Sequence, residues 1–248
     1  IDLGFNHKSG LFVNGGYTRN NHGGWQGDLT GREKRWHPKD QALMNGMFGF
    51  QNRNMNVWYR LDFLDEKIFG PNNGSELQPE KVSDKDFLTK RYTHQLQSDW
   101  KLDNRLDVHA ALSYQDYKRR TRTTESDLST GEKWLSSAEA SQDITQYKAW
   151  IARATVAWNI APEFSVQPGV EYQWTQGEGG RIDGTPKVSD LAFFLSAEYK
   201  PWEWLSLRPG VRTFIVADYD APIAIPSVLT KFKLTKHMDL RLSYAYGF

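Results

Sequence analysis

Strict alternation of apolar and polar side chains, repeated in one segment after another, is the feature that most limits what this chain can fold into. Between Phe164 and Trp174 the even positions carry Phe164, Val166, Pro168, Val170, Tyr172 and Trp174, while Ser165, Gln167, Gly169, Glu171 and Gln173 occupy the odd ones. A strand sends these two sets to opposite faces, whereas a helix would scatter them round its axis. Residues 148–160 repeat the pattern, with Trp150, Ala152, Ala154, Val156, Trp158 and Ile160 against Arg153, Thr155 and Asn159. A third face holds Met238, Leu240, Leu242, Tyr244, Tyr246 and Phe248, opposite Asp239, Arg241, Ser243, Ala245 and Gly247.

Each segment is half greasy and half wet, so the chain combines a mean hydropathy of −0.67 with 14% aromatic residues, among them 10 Trp and 11 Tyr. Rings with a polar handle suit a membrane–water boundary, and Trp150 and Trp158 stand at the two ends of their segment, where aromatic girdles belong. No run of about 18 apolar residues exists, so a membrane-spanning helix is excluded. A bilayer can then be crossed only by a closed barrel, because an open sheet leaves backbone groups unpaired in lipid.

Applied along the whole chain, the same rule predicts about twelve strands of roughly nine to eleven residues. They cover 1–6, 11–19, 43–51, 55–64, 91–102, 105–118, 144–160, 164–175, 189–200, 205–217, 223–234 and 238–248. The connections alternate in length. Short turns fall at 7–10, 52–54, 103–104, 161–163, 201–204 and 235–237; between them lie long polar stretches at 20–42, 65–90, 119–143 and 176–188, with a shorter one near 218–222. Outer-membrane barrels have short periplasmic turns and long extracellular loops, so the rhythm also assigns sidedness. With the short turns in the periplasm, both Ile1 and Phe248 fall on the outer side. A complete bacterial barrel has both ends in the periplasm, so the expectation is a portion of a larger barrel. The aromatic-rich final strand, which looks like a terminal assembly signal, then reads as an internal strand.

Two stretches carry a resemblance. Leu207-Arg-Pro-Gly-Val-Arg212 is followed by Ile225-Pro-Ser-Val-Leu-Thr-Lys-Phe-Lys-Leu-Thr-Lys-His-Met-Asp-Leu-Arg-Leu-Ser-Tyr-Ala-Tyr-Gly-Phe248. This order, a Pro-Ser strand start, a Lys-containing strand and a Leu-Arg-x-Ser-Tyr-x-x-Gly-Phe strand, resembles the barrel of TonB-dependent outer-membrane receptors. It is most similar to the branch handling haem, cobalamin or ferric siderophores. The resemblance is specific over about forty residues and architectural elsewhere. It implies an all-β fold: a transmembrane antiparallel β-barrel of which these strands are part, the whole having roughly 22 strands round a plugged lumen. No stretch here matches the plug domain or its TonB-contacting segment. The family's activity would be import of a scarce chelate, with TonB, lipopolysaccharide or other outer-membrane lipid, and a surface lipoprotein as partners. No intrinsic cofactor is implied, only a transported ligand: haem, cobalamin or a ferric siderophore.

Candidate site residues come from the loop 20–42, where His22, Trp25, Trp36 and His37 sit amid Gly and charge. Imidazole ligates haem iron and indole stacks on planar ligands; the plainer alternative is a solvated loop with Trp at the interface. Arg119, Arg120 and Arg122 could meet an anionic chelate or lipopolysaccharide phosphate, or simply form a hydrated strand extension. Arg153, Glu171, Glu198, Arg208, Arg212, Lys231, Lys233 and Arg241 fall on the lumen side, where polar residues are the default lining. Pro168, Pro209 and Pro226 lie within strand patterns and are expected at ends or bulges. Acid pairs such as Asp62 with Asp65, or Glu198 with Glu203, suggest no linked catalytic group, so an enzyme is not expected. Zero Cys excludes disulfides and thiolate metal sites, and 31 basic residues interspersed with 30 acidic ones give no nucleic-acid signature. The rival function is a complete passive channel of about twelve strands.

Overall fold

A computed structural model describes residues 1–180, 182–216 and 222–246. The expected strand ends at Ala217 and at Gly247 and Phe248, and most of the connection at 218–222, lie outside the described residues. The fold is one antiparallel sheet of 13 strands with sequential neighbours throughout. In chain order they are β1 (Asp2–Asn6), β2 (Leu11–His22), β3 (Lys39–Gln51), β4 (Met55–Gly70), β5 (Lys81–Lys101), β6 (Leu106–Asp127), β7 (Lys133–Leu135), β8 (Ile144–Ala161), β9 (Phe164–Glu178), β10 (Lys187–Trp202), β11 (Leu205–Val216), β12 (Ile225–Lys233) and β13 (Asp239–Ala245). β7 is a short addition that pairs only with β6, inside a stretch expected to be loop. Among the described residues no pairing joins β1 to β13, so the sheet does not close on itself.

Residues directly opposite in an antiparallel ladder share a face. Following the register across ten strands therefore tests the alternation. One row runs Phe5, Val13, Phe48, Tyr59, Leu96, Leu112, Ala152, Tyr172, Leu191 and Ile215, from β1 to β11 without a polar break apart from the tyrosine hydroxyls. The neighbouring row on the opposite face runs Asn6, Phe12, Gly49, Trp58, Gln97, Ala111, Arg153, Glu171, Ala192 and Phe214. Tyr92 and Trp100 bound the apolar stretch of β5. Eight residues of strand are about 26 Å, or roughly 20 Å of height at a tilt near 40°, close to the apolar band of an outer-membrane barrel.

Rings link up across this band: Phe48 with Tyr59 at 5.3 Å, His94 with Tyr114 at 5.9 Å, and Tyr114 with Trp150 at 4.4 Å. Between Tyr92 and Trp100, β5 places His94 and Ser98 on this face as polar exceptions. His94 Nδ1 shares a 2.6 Å hydrogen bond with the Tyr59 hydroxyl, which satisfies both groups where lipid would offer no partner.

The short turns occur where the alternation stops, and their chemistry is local. Asn52 Oδ1 accepts from the backbone N–H groups of Asn54 and Met55, both at 2.8 Å, and Asp103 Oδ1 accepts from Arg105 N–H at 2.6 Å. Gly10 has φ +94° and lies so close to β3 that a Cβ would fall 1.9 Å from the Gln51 carbonyl oxygen.

Two expectations change. The polar stretch at 65–90 is mostly strand and that at 119–143 about half strand, since β4 and β5 stay paired out to Gly70 and Lys85, and β6 runs to Asp127. Beyond the apolar band both faces carry polar and charged residues, so the ladder continues while the apolar alternation disappears. Pro168 and Pro209 lie inside strands rather than at their ends. Pro168 pairs with Leu195 of β10 but has no partner on β8, and Pro209 pairs with Val228 of β12 but has none on β10. That is the pattern expected where the missing N–H faces one neighbour. Pro226 is the second residue of β12.

Replacing Gly10 by Ala forces both a left-handed backbone and a backbone clash. It should destabilise the sheet by about 2 kcal/mol or more, read as a lower temperature of the folded-to-unfolded gel shift. A wild-type transition in Gly10→Ala would contradict the turn geometry.

Candidate functional site

Beyond the aromatic edge, β4, β5, β6 and β8 continue as a wall whose polar-row face carries Ile68 and Gly70, Lys85 and Phe87, Arg119 and Thr121, and Thr145. Two cavities lie against this face and share Lys85 and Phe87. The smaller, about 260 Å³, is closed by Glu33, Lys34 and His37 of the β2–β3 loop. The larger, about 510 Å³, is closed by Glu139, Ser141 and Asp143 of the segment after β7. Between them the Arg119 guanidinium stacks over the Phe87 ring at 4.3 Å, a cation–π arrangement that holds the charge flat against the wall.

The loops that close the cavities are tied down. Arg32 makes a two-pronged ion pair with Asp84, at 2.9 and 2.6 Å, and donates to the Asn72 carbonyl at 2.8 Å. The Arg32 N–H donates to Asn73 Oδ1 at 2.7 Å, while Asn73 Nδ2 donates to the Thr30 carbonyl at 3.0 Å. The β2–β3 loop is thus latched to the β4–β5 loop and to β5. On the other side, Asp127 closes the β6–β7 turn: its Oδ1 accepts from the Ser129 hydroxyl at 2.5 Å and from the N–H groups of Ser129 and Thr130 at 2.9 and 3.1 Å. The Ser129 hydroxyl, then the Thr130 and Ser129 amides, hold the Asp127 carboxyl below its ordinary value.

The four sequence-derived candidates separate. Trp25 and Trp36 pair with each other through reciprocal backbone bonds of 2.9 and 3.0 Å and an edge-to-face contact at 6.4 Å, and both rings are exposed. His37 lines the smaller cavity and packs over Gly70, where a Cβ would meet its ring at 3.2 Å. His22 ends β2, opposite Lys39. No group of three or more metal-ligating side chains occurs among the described residues. Strand parity also splits the arginine run: Arg119 faces the cavities, while Arg120 and Arg122 share the other face, with Arg122 bound to Asp86 at 2.5 Å. Lys85 and Phe87 are not evident in the sequence because 65–90 reads as loop, although extending the alternation outward through Lys85, Phe87, Thr89 and Arg91 finds both, while Lys34 is one charge among several in the 20–42 loop.

Lower on the polar face, Glu171 binds Arg212 at 2.5 Å and Arg153 at 3.6 Å, with Phe194 under both guanidiniums at 5.8 and 4.8 Å. Glu198 binds Lys200 at 3.2 Å and Arg208 at 3.8 Å, beside a cavity of about 840 Å³ near the β10–β11 turn. These charges answer one another, and the stacked Trp202 and Trp204 wall that cavity at the turn end, far from the loops. Asp62 is bound by Arg60 on the polar face and Asp65 lies on the other, so the two cannot act together.

Among solved structures the sheet superposes on the outer membrane transporter YddB from Escherichia coli, with a TM-score of 0.67, 13% identity, and coverage of 94% of this chain and 35% of that one. It also superposes on the siderophore receptor PiuA from Acinetobacter baumannii, with a TM-score of 0.64, 11% identity, and coverage of 98% and 46%. The fold is that of an outer-membrane receptor barrel. For the ferric yersiniabactin uptake receptor FyuA from Yersinia pestis the TM-score is 0.58, with 13% identity and coverage of 95% and 42%. The chain thus spans between a third and a half of the length of these receptors and transporters. No protein-family model and no curated protein matches it. In a barrel of this fold the apolar row faces outward and the polar row faces the lumen, and the two cavities lie against the polar row.

Because the Asp127 carboxyl is held low when folded, its contribution to the β6–β7 turn is present above the ordinary carboxylate range. That contribution is lost as pH falls through the lowered value. The protection factors of the Ser129 and Thr130 amides, taken against the intrinsic exchange rate at each pH, should fall on acidification in the wild type. In Asp127→Ala they should already be low at neutral pH; pH-independent protection in the wild type would refute the assignment.

Proposed function

We propose that the chain forms part of the barrel wall of a TonB-dependent outer-membrane receptor, and that its vestibule binds a scarce anionic chelate for import. The observation that carries this reading is the wall of Lys85, Phe87 and Arg119, flanked by Lys34 and His37 and enclosed by latched loops. Cations and a ring face suit a chelate that presents carboxylate or phenolate oxygens together with planar groups. Two of the similar structures are, by their names, a ferric yersiniabactin and a siderophore receptor. A ferric siderophore is therefore the favoured cargo, ahead of haem or cobalamin. His37 is the one member of the original quartet in the cavity wall, and the Trp25–Trp36 pair serves as an exposed rim. β1 and β13 both keep free ladder edges, which hydrocarbon does not tolerate, so the wall is completed by further strands, and TonB acts through a plug.

The test is titration of the full-length receptor with a panel of ferric siderophores, haem and cobalamin, together with uptake in cells with and without TonB. Arg119→Ala and Phe87→Ala should each weaken binding of the cognate chelate, by roughly tenfold or more for the arginine. Loss of TonB should abolish uptake while leaving binding intact. Steady ion conductance with no chelate binding would replace this reading with a passive channel.

A further inference from the structure

An ionisable side chain on the apolar face of a membrane sheet is costly to keep, and one that is kept points to a function. His94 is such a residue. It follows Tyr92 on the outward face of β5, and the ladder sets it directly opposite Tyr114 of β6, which in turn faces Trp150 of β8. Packing alone would be served as well by leucine.

The rings around His94 form a continuous path. Centroids of Trp150 and Tyr114 are 4.4 Å apart, those of Tyr114 and His94 5.9 Å, and those of His94 and Tyr59 of β4 6.1 Å. Trp150, 40% exposed, stands at one end of the path, and Phe48, a ring that resists oxidation, lies 5.3 Å beyond Tyr59 at the other. With the imidazole proton on Nε2, the Tyr59 hydroxyl donates to His94 Nδ1 at 2.6 Å. Among the described residues this is the one phenol bonded to an imidazole.

Aromatic side chains are common in such a band, so ring contacts by themselves decide nothing. What sets this path apart is the base at its end. A phenol that loses an electron becomes strongly acidic, and in hydrocarbon, which cannot hydrate the proton, the electron leaves readily only when a base takes that proton in the same step. Indole needs no base, because its radical cation is a weaker acid. An electron vacancy made at Trp150 therefore runs downhill to Tyr59. Tyr114 is a stepping stone between them, since β6 and β4 are two strand spacings, about 10 Å, apart.

We propose that Trp150, Tyr114 and the Tyr59–His94 pair form a radical relay that draws one-electron oxidation away from the outward face. An oxidising radical takes one electron from the Trp150 indole and leaves as its anion. The Trp150 radical cation then takes one electron from Tyr59 by way of Tyr114, while the Tyr59 proton moves along its hydrogen bond to His94 Nδ1. The products are intact Trp150, a neutral Tyr59 phenoxyl radical and a His94 imidazolium; no bond between heavy atoms is made or broken. A thiolate that supplies one electron resets the pair, becoming a thiyl radical as the proton returns from His94 to Tyr59. The relay is independent of the cargo.

The test uses the full-length receptor in phosphatidylcholine vesicles, with azide radical from pulse radiolysis as the one-electron oxidant of tryptophan. Indole radical should give way to tyrosyl radical, and a nitroso spin trap with peptide mapping should find the adduct on Tyr59 ahead of Tyr244, which is 62% exposed. Tyr59→Phe should shift the adduct to Trp150 and Tyr114. His94→Phe, which keeps a ring and removes the base, should slow the growth of tyrosyl radical by roughly a hundredfold and leave chelate binding unchanged. Adducts that follow exposure, with Tyr244 ahead of Tyr59, would overturn the proposal, as would wild-type kinetics in folded His94→Phe. Should that variant fail to fold, the wild type in heavy water decides: the handover to Tyr59 should slow severalfold, and an unchanged rate would refute proton transfer to His94.

Discussion

Hydrocarbon offers a backbone amide no partner, so a chain that crosses it with strands must pair every N–H and C=O with the next strand. The rest of this fold follows from that requirement. It explains why the sheet is sequential, why twelve strands form one path with β7 appended outside the band, and why exceptions within the band are few and specific. Pro168 and Pro209 each give up pairing on one side and keep it on the other, so neither shifts the register around it. His94 stays on the outward face by closing a hydrogen bond with Tyr59. The same requirement makes the free edges of β1 and β13 the least tolerable feature of the isolated sheet.

The ladder outlasts the membrane that made it necessary. Above Tyr92, β5 continues to Lys81 and β6 continues to Asp127, still in register, with polar residues on both faces. Period-2 geometry there no longer separates greasy from wet. Instead it separates lumen from exterior, so adjacent residues in the sequence meet different worlds. Arg119 lies on Phe87 beside the vestibule cavities, and Arg120 stands on the opposite face beyond the girdle. Which neighbour of a charged pair faces the cavities and which faces outward is then a matter of parity alone.

That is also where the sequence stopped being readable. Apolar alternation marks a strand only where one face touches lipid, so the spanning parts of β8, β9 and β13 were legible from Trp150, Tyr172 and Leu242, and the short turns from their Asn, Asp and Gly. The extensions of β4 to β6 carry charge on both faces and read as loop. Lys85 and Phe87 were hidden for that reason, while His22 and Trp25 stood out because they are conspicuous residue types in a true loop. The latch between Arg32 and Asp84 joins residues far apart in sequence, and no local pattern announces it. The short–long rhythm of connections survived because it depends on where turns fall, not on what the loops contain.

The latch also bears on how such a vestibule binds. A loop free to sample many conformations must be ordered when a ligand arrives, and that ordering subtracts from affinity. Here the β2–β3 loop is held by Arg32 to Asp84 and Asn72, and by Asn73 to Thr30. The Asp84 side chain is only 14% exposed and Arg32 33%, so the pair is shielded from much of the solvent screening that weakens surface ion pairs. Behind it stands a wall of paired strands, not loop. In the proposed receptor, Lys85, Phe87 and Arg119 would meet a ligand from paired strands, with Arg119 held flat by its ring contact, while selectivity could change through the loop residues Glu33, Lys34 and His37. Long strands that rise past the membrane thus give an outer vestibule a fixed floor with an exchangeable rim.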